Sequence, residues 1–218
     1  MDSVVLIDKP AGLTSFGVVA RIRRVLSQQA GNKVKVGHTG TLDPFATGLM
    51  ILVTGKECKN AGSYSKLDKV YEATFRLGQL STTGDPEGEI SEISARVPSV
   101  DEIEQALRQF KGEIMQRPPI FSAIKINGQR AYKLARNGEE VEIHLRTVTV
   151  YSLELVDYTY PNLTVRAHVS SGTYIRSLAV DIGAVLETGA YCTDLRRLSI
   201  SEWDVDKAQK LSDLGVTN

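Results

Sequence analysis

The sequence predicts an α+β fold, a mixed and largely antiparallel sheet with flanking helices. Three observations carry that expectation. Arg146–Tyr160 and Asn162–Ser170 are alternating runs with Pro161 and Asn162 at the turn between them, the pattern of an antiparallel pair. Ser99–Phe110 and Thr173–Glu187 instead repeat their apolar residues at helical spacing. Strands and helices also lack the strict strand–helix–strand alternation of a parallel sheet.

Taken in order, Val4–Ile7 reads as a short buried strand. From Phe16 to about Gln28, Val19, Ile22 and Leu26 fall on one side of a helix, and Arg21, Arg23 and Arg24 on another. Met50–Val53 is a second buried strand, ended by Gly55. Lys69–Leu77 alternates through Val70, Ala73, Phe75 and Leu77 with one slip in register, which predicts a bulge. In Ser99–Phe110, Ser99 and Glu102 form a capping box ahead of the stripe Ile103, Ala106, Leu107 and Phe110. Thr173–Glu187 places Ile175, Leu178, Ala179, Ile182 and Leu186 on one helix face. No internal repeat, low-complexity tract or Pro/Ser-rich linker interrupts the chain, so residues 1–218 read as one continuous domain.

Composition narrows the class. The 218 residues are 42% apolar and 24% charged, which excludes a disordered or collagen-like chain. No apolar run reaches the length of a membrane-spanning helix, and MDSVVLIDKPAG lacks the features of a secretory signal. Cys58 and Cys192 lie far apart without a CxxC pattern, as expected for free thiols in a reducing cytosol. The formal net charge is zero, a total that argues against nucleic acid. The distribution argues otherwise: residues 1–66 carry nine Lys/Arg against four Asp/Glu, and residues 105–150 eight against four. Residues 84–104 carry one against seven, and residues 151–218 six against nine. The two basic blocks are either ordinary solvated faces or parts of one basic surface.

Three familiar chemistries fail on spacing. Thr54-Gly55-Lys56 resembles the end of a phosphate-binding loop, but Glu57 stands where a magnesium-binding Ser or Thr is needed. His38, His144 and His168 are scattered, and neither cysteine is paired with one, which speaks against zinc. Ser122 and Ser171 have no recognisable base-and-acid partners for acyl transfer.

Three segments remain. Gly37–Gly48, GHTGTLDPFATG, combines glycines that permit close approach with a carboxylate held out of helix by Pro44. Asp43 there is either the cap of a short helix beginning at Pro44 or a catalytic carboxylate. Ser170–Arg176, SSGTYIR, puts Arg176 in the first turn of a helix, where the macrodipole disfavours a cation. Arg176 is either an exposed arginine or one tied to an anion. In Lys69-Val70-Tyr71, Tyr71 breaks the alternation, so its ring is either an ordinary surface tyrosine or a platform for a base.

The order of these segments resembles the TruB family of tRNA pseudouridine synthases. The matching stretches are Lys9–Ser15, Gly37–Gly48, Lys69–Gly88, Arg117–Arg136, Ser170–Gly183 and Leu195-Arg196-Arg197. The resemblance implies the pseudouridine synthase fold and isomerisation of a T-loop uridine of tRNA (position 55). The uracil would be detached at N1, turned, and rejoined to the sugar through C5. It implies that Asp43 is the essential carboxylate, acting as nucleophile or acid/base, with Arg176 as its pairing arginine. Tyr71 matches the tyrosine that stacks on the flipped base, and Tyr174 and Leu195 match residues lining the uracil pocket. Lys9, Pro10, His38 and Asp85 match positions that support the site or contact RNA, and Thr39, Gly40 and Leu42 belong to the same substrate-binding loop. The resemblance further implies no cofactor, no metal, no membrane and no obligate protein partner. The expected enzyme is a cytoplasmic monomer whose partner is the T-arm stem-loop of tRNA. The basic helix and Lys33/Lys35 would hold phosphates.

The chain departs from the family pattern in three places. About twenty residues follow Arg197, too few for the C-terminal RNA-binding domain of PUA type that the family usually carries. Tyr191 stands where histidine is common, and Gln28–Lys35 is slightly longer than usual. A non-catalytic RNA-binding or tRNA-folding module is the alternative, but such a module would not require Asp43, Tyr71 and Arg176 together.

Overall fold

A computed structural model describes residues 2–122, 124–126, 128–139 and 142–216, with the backbone alone at residues 125, 132, 133 and 136. Ala123 and Asn127 of the Arg117–Arg136 stretch, and Glu140 and Val141 of the second basic block, lie outside the described residues.

The elements run β1 (Val4–Lys9), α1 (Ser15–Ala30), β2 (Val36–His38), β3 (Thr47–Thr54), α2 (Ala61–Ser65) and β4 (Lys69–Leu77). Then follow β5 (Gln79–Ser81), β6 (Ile90–Glu92), α3 (Val100–Gln109), β7 (Gly112–Gln116), β8 (Lys125–Ile126), β9 (Gln129–Arg130) and α4 (Ala131–Arg136). The chain closes with β10 (Arg146–Thr159), β11 (Asn162–Val169), α5 (Ile175–Val185), β12 (Ala190–Ile200), β13 (Trp203–Asp204) and β14 (Gln209–Lys210). The class is α+β with a largely antiparallel sheet, as the patterning predicts. No helix of the described residues is long and apolar enough to cross a membrane. Cys58 and Cys192 are both free thiols.

The chain forms two compact units, Met1–Tyr71 with Arg196–Asn218, and Glu72–Leu195. In the first, the strand order is β14-β1-β3-β12, with β2 on β3 and β13 on β12. Strand β1 pairs antiparallel with β3 from Val4↔Val53 to Lys9↔Gly48, and the 196–197 part of β12 joins β3 in parallel. β3 is buried from Gly48 to Thr54, so its Leu-Met-Ile-Leu-Val run is apolar on both faces rather than alternating. Leu49, Ile51, Ile200 and Val205 form one core cluster, against which Val4, Leu6, Tyr64, Leu67, Trp203 and Ala208 pack. Gly48 is required where β3 meets β12: its φ is 101°, and a Cβ there would stand 2.3 Å from the Arg197 carbonyl oxygen.

In the second unit the strand order is β12-β4-β11-β10-β7. The β10–β11 hairpin is the predicted pair, in register from Val150↔Val169 to Thr159↔Asn162 with two irregularities. α3 begins with the predicted capping box: Ser99 Oγ accepts from the Glu102 amide at 3.3 Å, and the Ser99 amide donates to Glu102 Oε2 at 2.7 Å. α5 is two residues shorter at each end than its apolar pattern suggests. Tyr174 is extended at its start, and Glu187 takes φ 56° beyond its end.

One expectation fails on β4. Its burial alternates without a slip, and the residues turned inward are Lys69, Tyr71, Ala73, Phe75 and Leu77. Tyr71 is 8% exposed and in phase with the core, while Val70 takes the more open face. The bulge that Val70 suggests is absent, because Val70, although apolar, lies on the more open face. A strand with one face buried and the other half-buried tolerates Val on either.

Candidate active site

The Asp43 loop is built from buried polar contacts. The β1 end carries Lys9, fully buried, whose Nζ donates to the carbonyls of Pro10 at 2.9 Å, Leu13 at 2.7 Å and Pro44 at 3.1 Å. The Gly12 amide donates to the same Pro44 carbonyl at 2.8 Å. Ser15, at the first turn of α1, both donates to the Leu42 carbonyl and accepts from the Leu42 amide, each at 2.8 Å. Thr39 is anchored by its amide and hydroxyl on the Ile51 carbonyl, at 3.1 and 3.3 Å. Arg197, 1% exposed, donates Nε to the Leu49 carbonyl at 2.7 Å and Nη2 to the Gly40 carbonyl at 3.2 Å.

Within this frame the backbone of 43–46 makes a turn, the Ala46 amide reaching the Asp43 carbonyl at 3.2 Å. No helix starts at Pro44, so the helix-cap reading of Asp43 is wrong; the chain passes directly into β3. The Asp43 side chain is half-buried, whereas Leu42 beside it is buried. The loop therefore fixes its backbone with interior groups, while Asp43 itself is half-buried. His38 lies half-buried on β2, paired with Leu52.

Two further features belong to this unit. Lys69, 7% exposed, donates Nζ to the carbonyls of Ser65 and Leu67. Its burial, and then the like charge of Arg197, bring its pKa down to about 8. Arg23, Lys33 and Lys35 line a cavity of about 340 Å³ over Val34 and Val36, a concentration of positive charge with no carboxylate in its lining.

In the second unit Arg176 is 3% exposed and tied to an anion, as its position in the first turn of a helix suggested. Its Nη1 meets Asp85 Oδ2 at 2.6 Å and the Thr83 carbonyl at 3.0 Å, and its Nη2 reaches the Phe121 carbonyl at 2.7 Å. Asp85 is fastened in turn: its Oδ1 accepts from Thr83 Oγ1 at 2.6 Å and from the Glu87 amide at 3.0 Å. Thr82, Thr83, Pro119, Phe121, Arg176 and Asp181 are among the residues around a cavity of about 320 Å³. Burial holds the Asp181 carboxyl above the usual carboxylate range. Tyr174 is half-buried at the start of α5, and Leu195 is buried on β12.

The sequence-derived residues thus fall in two groups. Lys9, Pro10, His38, Thr39, Gly40, Leu42, Asp43 and Tyr71 belong to the first unit, and Asp85, Tyr174, Arg176 and Leu195 to the second. The sequence reading missed Ser15, Arg197 and Gln116, which hold these groups in place. Arg197 left no clear local signal, because Thr193 and Ser199 share its phase on β12 and break any apolar alternation; Gln116 left none either.

Comparison with known proteins agrees with this architecture. The family described as TruB family pseudouridylate synthase (N terminal domain) matches residues 23–175. The tRNA pseudouridine synthase B of Thermobifida fusca (strain YX) is 46% identical over 99% of this chain and 75% of its own length. The chain belongs to the TruB family of pseudouridylate synthases. It is an enzyme that isomerises uridine to pseudouridine. A second TruB-family relative, the tRNA pseudouridine synthase B of Aquifex aeolicus (strain VF5), is 43% identical over 98% of this chain and 73% of its own. Among solved structures, a chain of a Cbf5-Nop10-Gar1 complex aligns with TM-score 0.74 and 32% identity over 96% of this chain. A chain of an H/ACA RNP bound to a substrate RNA containing 2'-deoxyuridine aligns with TM-score 0.71 and 29% identity. The TruB-family chain spans about half the length of those two solved chains, 52% and 51%.

Proposed function

We propose that this chain converts the T-loop uridine at position 55 of tRNA to pseudouridine, with Asp43 as the essential carboxylate. The observation that carries the reading is the Asp43 loop: Lys9, Ser15 and Arg197 fix its backbone from inside while Asp43 itself is only half-buried. A nucleophile or acid/base group needs that combination of fixed aim and access. The names of the relatives support tRNA as the substrate.

A uridine inside a folded loop must leave the stack before its C1′, C5 or C6 can be reached, so the target is flipped out. Tyr71 stacks on the base, Tyr174 and Leu195 line the uracil pocket, and Arg176 serves as the arginine that pairs with the Asp43 carboxylate. Lys9, Pro10, His38, Thr39, Gly40, Leu42 and Asp85 support the site or contact RNA. The cations Arg23, Lys33 and Lys35 hold phosphates of the T-arm, positioning the RNA without reading its sequence. Product and substrate are isomers, so the atom balance calls for no oxidant or reductant. The enzyme works as a cytoplasmic monomer without cofactor or protein partner.

The test is Asp43→Asn assayed on a tRNA transcript. Pseudouridine formation should vanish while tRNA binding persists, and substantial residual turnover would overturn the assignment of Asp43. A transcript with cytidine at position 55 should bind without any pseudouridine appearing elsewhere in the T-loop.

A further inference from the structure

Gln116 is the last residue of β7, 1% exposed, and its backbone is paired with Arg146 of β10. The strand ladder therefore fixes the point from which its side chain starts. That side chain reaches Tyr174, whose amide donates to Gln116 Oε1 at 2.7 Å while Gln116 Nε2 donates to the Tyr174 carbonyl at 3.0 Å. One carboxamide thus engages both backbone groups of the residue that opens α5.

Tyr174 is the N-cap of α5 and supplies no capping side chain. In a capping box, the residue three positions into the helix accepts from the N-cap amide. At α5 that position is Ser177, whose hydroxyl instead donates to the Arg117 carbonyl at 2.7 Å. Gln116 supplies from a neighbouring strand what the helix lacks. Arg176, two residues on, holds the next part of the same segment through the Phe121 carbonyl. Residues 116–121 and the start of α5 are therefore joined at three points, and Gln116 is the one that touches the backbone of Tyr174.

We propose that Gln116 is a positioning residue for pseudouridine formation: by clamping both backbone groups of Tyr174 it sets the direction in which α5 presents Tyr174 and Arg176. This rests on the assignment of those two side chains to the reaction. Asp85, Thr83 and Phe121 also hold the guanidinium end of Arg176. Loss of Gln116 should therefore displace the start of α5 rather than unfold it.

The experiment compares Gln116→Met and Gln116→Glu with the wild type on a tRNA transcript between about pH 5.5 and about pH 8, where buried carboxyls titrate. Methionine matches the volume and makes neither hydrogen bond. Its kcat should fall about 10- to 100-fold, the scale of a small misplacement, with little change in KM. Protonated glutamic acid offers one donor and one acceptor, as the amide does, whereas the ionised form turns two acceptors toward Tyr174. The kcat of Gln116→Glu relative to wild type should therefore rise reversibly as the pH falls, and that of Gln116→Met should stay flat. A purely packing role moves neither ratio with pH. Wild-type kcat in both variants, or equal losses with no pH dependence, would overturn the proposal. If the methionine variant does not fold, the reversible recovery of the glutamate variant still decides. Arg176→Lys and Tyr174→Phe are measured alongside. Full activity in both defeats the underlying assignment, whereas their inactivity beside an active Gln116→Met defeats the Gln116 proposal alone.

Discussion

Helices α3 and α5 lie in the same unit, yet they begin in opposite ways. α3 is closed by its own sequence: Ser99 and Glu102 cap each other, Asp101 and Glu102 sit in the first turn, and Arg108 in the last. Each of those choices agrees with the helix dipole. α5 has no acid in its first turn, puts Arg176 there instead, and takes its backbone cap from Gln116, 58 residues earlier. The charge of Arg176 is met by Asp85, 91 residues earlier. The locally encoded helix carries none of the proposed site residues. The helix assembled from distant segments carries one, Arg176, and has a second, Tyr174, as its N-cap. A start built from separate strands and loops costs more to specify, and it lets several segments determine where two side chains point.

The largest break in this comparison is Asp85→Ala. Removing one partner of a buried ion pair should cost about 3–5 kcal/mol in urea unfolding, because the other charge stays in the interior. Asp85→Asn should lie close behind, since an amide keeps an acceptor for Thr83 Oγ1 but not the charge facing Arg176. Both variants should also lose turnover. A loss below about 1 kcal/mol, the range of exposed pairs, would mean that the pair is not buried in solution.

The same contrast sets what a reader of the sequence could see. The capping box of α3, the β10–β11 hairpin and the apolar faces of α1 and α5 are short-range patterns, and each appears where its pattern lies. β12 went unread although it contributes to both units. Arg196 and Arg197 interrupt its apolar residues, and only the carbonyls of Gly40 and Leu49 make an inward arginine tolerable. β7 was missed because Glu113 and Met115 face solvent, leaving Ile114 and Gln116 as its only inward residues. At the site, glycines, Asp43 and Arg176 stood out by local oddity. Tyr71 was picked out for a wrong reason, a break in alternation that does not exist. Gln116 and Ser15 were invisible because their partners are named only by the fold.

Ser99→Ala is the middle-sized test. Losing the N-cap hydroxyl of α3 should cost about 1 kcal/mol, within the range measured for such caps. Pseudouridine formation by that variant should equal the wild type once the temperature is low enough to keep it folded. A fall in kcat at full occupancy of the folded state would show that α3 is coupled to the site, and the separation between the two helices would fail.

The smallest effect concerns the sign of the acid response. Glu102 of α3 is held below the usual carboxylate range, first by the Ser99 amide, then by the Ser99 hydroxyl, and less by Arg96. Asp181 of α5 is held above it by burial. A carboxyl with a lowered folded pKa stabilises above its unfolded value and loses that contribution as the pH falls through the folded one. A carboxyl with a raised folded pKa does the reverse: the native state takes up its proton first, so stability is gained as the pH falls through the folded value. Denaturation midpoints followed from neutrality down through the ordinary carboxylate range should separate the two, because one carboxyl is held below its usual value and the other above it. Glu102→Gln should be less stable than wild type near neutrality and converge with it in acid. Asp181→Asn should be more stable near neutrality, an advantage that shrinks in acid. Parallel curves for the two variants would mean that α5 does not bury its carboxyl. The two helices would then differ in their caps alone.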